Sequence, residues 1–417
     1  MMNDLNPDKK FFHDFVSQLS YWSTNGIPPK NCSPDVKYAL ALQAQRLRAH
    51  NVVAQHHYCK TSENDSTELS SSWSNKDFAN QVAYRHFITV KDYYINGKRT
   101  FSVHEPEVLY SVITKLQNGH SDKTYCCPNC GAIDTVRTLL EKGCPNCKTR
   151  FIMSDFFPQV TTYFSVRDYS QQSKKADKYL SRFTLIGGAI GLFGSMLITL
   201  LVSPQTFFSI ESLGIWASAA FSFAGLFCVS SAFIAIIHSL STSFNTRPKV
   251  SLQHNAKYKL PKFMKQFDPG FTYEYFVGKA MAMTRIMVFS SDYRNLAVYA
   301  GPPIINTYRN IIDVQFNEVI SVNSCTVKGA YCYLDLFVYT INTYCYGTQI
   351  SKKNERFRIV LCKNIMNDTD YNFSLQKVQC NSCGGSFDAT KMHKCPYCNS
   401  DYHSGEDDWV VLNFHKA

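Results

Sequence analysis

Residues 127–147 read CPNCGAIDTVRTLLEKGCPNC, and residues 380–398 read CNSCGGSFDATKMHKCPYC. Each stretch holds two Cys-x-x-Cys turns: Cys127, Cys130, Cys144 and Cys147 in the first, Cys380, Cys383, Cys395 and Cys398 in the second. One such turn aims two sulfurs at a single metal, and a second completes a tetrahedron of thiolates. The spacing predicts two zinc ribbons, each closed by four sulfurs and so structural rather than catalytic. Thirteen residues separate the turns of the first set and eleven those of the second, enough for a small hairpin or a helical turn. Gly131, Gly384 and Gly385 follow the turns, where the tight backbone wants a permissive residue. Cys126 is a spare neighbour, because Cys127 gives the two-residue spacing. His393 is a competing ligand beside Cys395, but four thiolates already fill the sphere. The other cysteines (Cys32, Cys59, Cys228, Cys325, Cys332, Cys345 and Cys362) have no ligand spacing and are expected to pack as small apolar residues. Disulfides would need an oxidising compartment, and paired motifs favour a metal over one reactive dithiol.

Between the two sets lie uncharged segments 183–202, FTLIGGAIGLFGSMLITLLV, and 214–237, GIWASAAFSFAGLFCVSSAFIAII. Twenty helical residues rise ~30 Å, the thickness of a bilayer's hydrocarbon core. The loop from Ser203 to Leu213 carries no Lys or Arg, whereas Lys174, Lys175, Lys178 and Arg182 precede the pair. Arg247, Lys249, Lys257, Lys259, Lys262 and Lys265 follow it. This bias predicts a two-span hairpin with both termini cytoplasmic. It also marks those six residues as a surface for anionic lipid. The N-terminus, MMNDLNPDKKFF, has no apolar core of a cleavable signal. No ionisable residue lies within either span, so the helices read as an anchor rather than a transport path. Gly187, Gly191 and Ser195 make a small-residue stripe, expected to pack one helix closely on the other.

The chain of 417 residues carries a formal charge of +11, and much of that excess flanks the hairpin. Residues 1–76 are expected to be a helical and low-complexity region, with a helix over 34–50 and a Ser-rich linker over 61–76. Residues 77–170 are expected to hold the first ribbon and a β-hairpin turning at Asn96-Gly97, with a short helix over 105–116. After the basic juxtamembrane stretch 238–267, an amphipathic helix is predicted over 273–290 and a short one over 292–300. Period-two patterns then predict strands in IDVQFNEVISV, AYCYLDLFVYTINTYCY and ERFRIVLCKNI. This α+β domain, 268–378, passes through 373–378 into the second ribbon and a closing strand, 379–417.

Residues 268–412 resemble the Tim-forty-four-like domain. The resemblance rests on Asp268-Pro269, Phe271-Thr272 and Phe276 at the first helix, on Asp292 after it, and on Arg356-Phe357 opening a strand. Bacterial membrane-anchored relatives look similar in the order of ribbon, hydrophobic hairpin, Tim-forty-four-like domain and terminal ribbon with a DW motif, here Asp408-Trp409. The resemblance implies a cone-shaped α+β fold like that of nuclear-transport-factor-two-like domains. It also implies a tethering role at a bacterial cytoplasmic membrane.

These readings favour a non-enzymatic scaffold, with membrane lipid and an unidentified protein as partners and two structural zincs as its only cofactors. Nucleic acid is the lesser reading, because the basic residues border the hairpin and are not interleaved with stacking aromatics on the ribbons. A small-molecule substrate is not expected, since Asp313, Glu318, Asp335 and Glu355 form no recognisable acid–base pair in the sequence. Two carboxylates, or a His–carboxylate pair, converging deep in the cavity would point to an enzyme instead.

Overall fold

Asn6 caps the first helix, α1 (Pro7–Asn25), by accepting a hydrogen bond from the Asp8 amide, and Gly26 ends it in the left-handed conformation. Ser33 caps α2 (Pro34–Ala49) through the Val36 amide, with Pro34 in the first turn. The helix expected over 34–50 is therefore present. The structure is a computed structural model. It describes residues 6–417 except 62–65, 76, 118–123, 128, 131, 169, 203, 207, 247–249, 294–295, 305–307, 367–377, 390–391, 403–404 and 406–407.

A five-stranded antiparallel sheet follows: β1 (Val52–Lys60), β2 (Glu68–Ser74), β3 (Phe78–Ile95), β4 (Lys98–Leu116) and β7 (Gln159–Arg167), in the order β1-β3-β4-β7 with β2 also on β3. Asn96 and Gly97 both have positive φ, as the two-residue turn between β3 and β4 requires. Two expectations fail here. Residues 105–116 are not a helix but the second half of β4, paired to β3 and β7. The Ser-rich segment is not all linker, because Glu68–Ser74 pairs with β3. Between β4 and β7 lie β5 (Thr124–Cys126), β6 (Ile133–Thr135) and α3 (Val136–Glu141).

The second half supplies α6 (Val250–Met264) and α7 (Tyr273–Phe289). A four-stranded sheet follows from β8 (Ile311–Lys328), β9 (Tyr331–Tyr346), β10 (Gln349–Asn364) and β13 (Val410–Lys416), in the order β13-β10-β9-β8. The two-residue strands β11 (Val378–Gln379) and β12 (Ser386–Phe387) pair with one another. The three period-two stretches are the strands expected, and β13 is the closing strand. No described residue of 292–300 is helical, and residues 373–377 lie outside the described residues.

Read from the sequence as separate domains, the two flanks of the hairpin form one compact unit, residues 1–167 with 248–417. The reason lies in α7. Every residue from Phe276 to Phe289 is buried, so it is a central layer rather than an amphipathic surface helix. It packs on β7 from one flank and β8 from the other. A Cβ on Gly278 would sit 2.5 Å from the Thr162 side chain, which shows how closely the helix lies on β7. Arg46 of α2 donates to the Val288 and Phe289 carbonyls at 3.2 and 3.1 Å, satisfying the end of α7. Lys279, midway along α7, pairs with Asp35 at 3.0 Å and with Asp408. Trp409 then packs edge-on against Phe276, 5.8 Å between centroids. A cation buried this deeply is tolerable only because both carboxylates reach it.

The second unit, residues 168–247, contains α4 (Ser170–Val202) and α5 (Ile210–Thr246). Within them, Thr184–Val202 and Ile210–Ser230 are long and apolar enough to cross a membrane. A Cβ on Gly191 would lie 2.6 Å from the Ala219 carbonyl, and one on Gly187 would lie 2.7 Å from Phe227. These glycines of the stripe thus serve contact between the two helices. Trp216 donates through Nε1 to the Thr199 hydroxyl at 3.1 Å.

Candidate metal centres

The cysteines singled out by spacing are the ones the fold brings together. In each quartet the four sulfurs lie within 4.8 Å of one another, a set able to hold a metal ion. In the first, Cys127 stands 3.7 Å from Cys147, and Cys130 stands 3.4 Å from Cys144. In the second, Cys380 is 3.5 Å from Cys398, and Cys383 is 3.6 Å from Cys395. Four sulfurs ~2.3 Å from a tetrahedral ion would be ~3.8 Å apart, so both quartets fit a closed thiolate sphere. A disulfide needs ~2.05 Å. Among the described residues His393 is in neither set.

Each turn is built the same way. The amide of its first cysteine donates to a carbonyl five residues on: Cys127 to Ala132, Cys144 to Thr149, Cys380 to Gly385 and Cys395 to Ser400. The bend this demands puts the residue after the second cysteine in the left-handed region: Lys148 (φ 58°), Gly384 (φ 72°) and Asn399 (φ 60°). The glycine rule thus finds Gly384 and misses Lys148 and Asn399. Hydroxyls complete the second and fourth turns. Thr149 lies 3.1 Å from Cys147, and Ser400 lies 3.2 Å from Cys398. With the local amides, they bring each of those thiols down to about 6. Cys127 is pushed up to about 12, chiefly by burial. Metal binding must remove that proton, so occupancy falls as pH falls.

The surroundings differ. The first quartet lies in an apolar cluster with Phe78, Leu139, Phe156 and Phe157, flanked by Tyr125 and Phe151. Tyr125 meets Phe156 edge-on at 4.9 Å. The second packs on Ala297, Val378, Phe387, Ala389 and Tyr402, yet Cys383 and Cys398 are exposed. Of the remaining cysteines, Cys32, Cys332, Cys345 and Cys362 are buried and Cys59 is exposed.

Lys257, Lys259, Lys262 and Lys265 are exposed on and just beyond α6, whose Ala256, Leu260 and Met264 are buried. Arg247 and Lys249 lie outside the described residues.

Sequence reasoning missed a polar interior between the two sheets. Lys91 pairs with Glu107 at 2.9 Å, and Gln315 donates to the same carboxylate at 2.9 Å. Gln43 donates to Asp313 at 2.8 Å. Lys352 and Arg167 each reach Glu105 at 2.7 Å. Burial alone would raise Asp313, but Lys91, His56 and Arg285 bring it below the usual carboxylate range. His56 is held down to about 4, by burial first and then by Lys91, and its Nε2 has no partner. His56 and Asp313 do feel one another here. The carboxylates, however, are taken up by cations and amides that join α2, β3, β4 and β7 to β8 and β10. No local pattern flags this, because the partners lie up to 270 residues apart.

The chain thus combines two four-cysteine groups able to hold a metal ion, a mixed α/β body and two helices long and apolar enough to cross a membrane, and comparison with family models, curated proteins and solved structures returns no match.

Proposed function

We propose that the protein is a non-enzymatic, membrane-anchored scaffold in which two structural zincs brace a cytosolic α+β body. The observation that carries the reading is the single compact unit made from both flanks of the apolar pair. Flanks that fold together must share one side of a membrane, as a two-span hairpin leaves them. The Lys- and Arg-free loop and the basic flanks favour the cytoplasm for that side. There a reducing environment keeps the eight thiols as ligands. Thiolate quartets suit zinc above other common ions. The resemblance to Tim-forty-four-like domains supports a tethering role at a bacterial cytoplasmic membrane, with an unidentified protein as the tethered partner. The interior carboxylates are engaged by their neighbours, which favours a structural over a catalytic role. The lysines of α6 would hold anionic headgroups, each worth ~1 kcal/mol near the surface.

Two measurements test this. Metal analysis of the intact protein should find two zincs per chain, and one or none sinks the structural-zinc reading. Native protein should resist alkaline extraction from membranes, and recovery in the soluble fraction sinks the anchor.

A further inference from the structure

β9 alternates between two faces. Cys332, Leu334, Leu336 and Val338 are buried in the core, so Tyr331, Tyr333, Phe337 and Tyr339 stand on the opposite face, each half-buried. The register of β10 sets Arg358 beside Phe337 and Arg356 beside Tyr339 on that same face. Arg356 is exposed, and its guanidinium lies 4.9 Å from the Phe337 centroid. The carboxylate of the face, Asp335, is held by Arg358 through two bonds of 2.9 and 2.7 Å and by Asn323 at 2.6 Å. The face therefore offers rings and guanidinium planes with its one named negative charge already neutralised.

We infer that this sheet face binds single-stranded nucleic acid. Alternate residues of a strand are ~6.8 Å apart, so successive rings are spaced for splayed bases rather than a stacked duplex. Aromatic faces accept any base, and arginine adds cation–π contact and phosphate pairing. With Asp335 paired to Arg358, the exposed Arg356 leaves the face with a net positive charge for phosphate. The interleaving of aromatic and basic groups that the linear sequence lacks is thus supplied across two strands. The inference is independent of the membrane and zinc readings.

The test is fluorescence anisotropy of labelled twelve-nucleotide oligouridylate and its DNA counterpart with the full chain in zwitterionic detergent. Binding should weaken as salt rises. Y333A with Y339A should weaken it about ten-fold or more, and exposed-site R356E should do the same without touching the core. Replacing Lys257, Lys259, Lys262 and Lys265 by Gln should leave the effect of Y333A and Y339A in place. RNA bound more tightly than DNA would assign the ligand to RNA, and equal binding to single strands in general. No binding of either oligonucleotide at low salt overturns the inference. So does binding that ignores both R356E and the double variant, or binding lost only with the lysines.

Discussion

The two cysteine quartets have the same chemistry and different walls. The first sits among Phe78, Phe156 and Phe157, with Cys144 fully buried. The second leaves Cys383 and Cys398 open to solvent. The sulfur geometry is alike, so the difference lies in access: a chelator, a proton or an oxidant reaches the exposed Cys383 and Cys398 more readily than the first set, where Cys130 and Cys147 are half-buried beside the aromatic wall. Identical motifs therefore need not hold metal with equal tenacity.

The sharpest way to break this contrast is chelation of zinc-loaded protein. The second site should release its metal first with little change in near-ultraviolet circular dichroism. Release from the first should unfold the region between β4 and β7, because a structural zinc contributes on the order of 10 kcal/mol to its fold. Single-step release, or release in the opposite order, refutes the comparison. Next in size is Phe157→Ala. Removing this ring, which packs against Phe78 at 5.7 Å, should destabilise the protein by about 3–5 kcal/mol. It should also raise the zinc-release rate of the first site toward that of the second. An unchanged rate would show that the wall does not control access.

Acid tests the frame apart from the metals. His56 has a folded-state value of about 4, below its ordinary 6.5. The unfolded chain therefore binds a proton that the folded chain refuses between those values. Stability should be complete above pH 6.5 and fall by up to about 3 kcal/mol as pH drops toward 4. His56→Gln should flatten that slope in denaturant titrations while leaving the order of metal release intact. An equally steep slope in the variant removes His56 as its cause. The smallest effect is expected from Lys148→Gly. Relief of the left-handed strain should outweigh the added chain entropy by about 0.5 kcal/mol. A matched loss in thermal melts would mean that Lys148 makes contacts worth more than the strain.

The local signals were legible where chemistry forces spacing. Cysteine pairs, the Asn96-Gly97 turn and the alternation in β8, β9 and β10 all survive into the structure. They fail where burial comes from afar. Val108, Leu109, Val112 and Ile113 have helix-like spacing, yet all are buried because β4 is covered on both faces. Leu69 and Trp73 are too few among serines to announce β2, an edge strand paired to β3 with those two side chains packed on separate apolar clusters. Helix α7 reads as amphipathic until the opposite flank covers its polar side, where Lys279 meets Asp35 and Arg285 lies over the Tyr163 ring. The union of the flanks was illegible for the same reason, since Asp35, Lys279 and Asp408 announce nothing until folded.

That union has a consequence for biosynthesis. Residues 1–167 leave the ribosome well before α7, the layer that covers their sheet. At about 5–20 residues per second the nascent half waits on the order of ten seconds. During that interval Phe164 and Tyr110 lack their final cover, and the intervening apolar helices are themselves emerging. A chaperone or early membrane capture would find its substrate in that window, and a chain truncated after residue 247 would remain in it permanently.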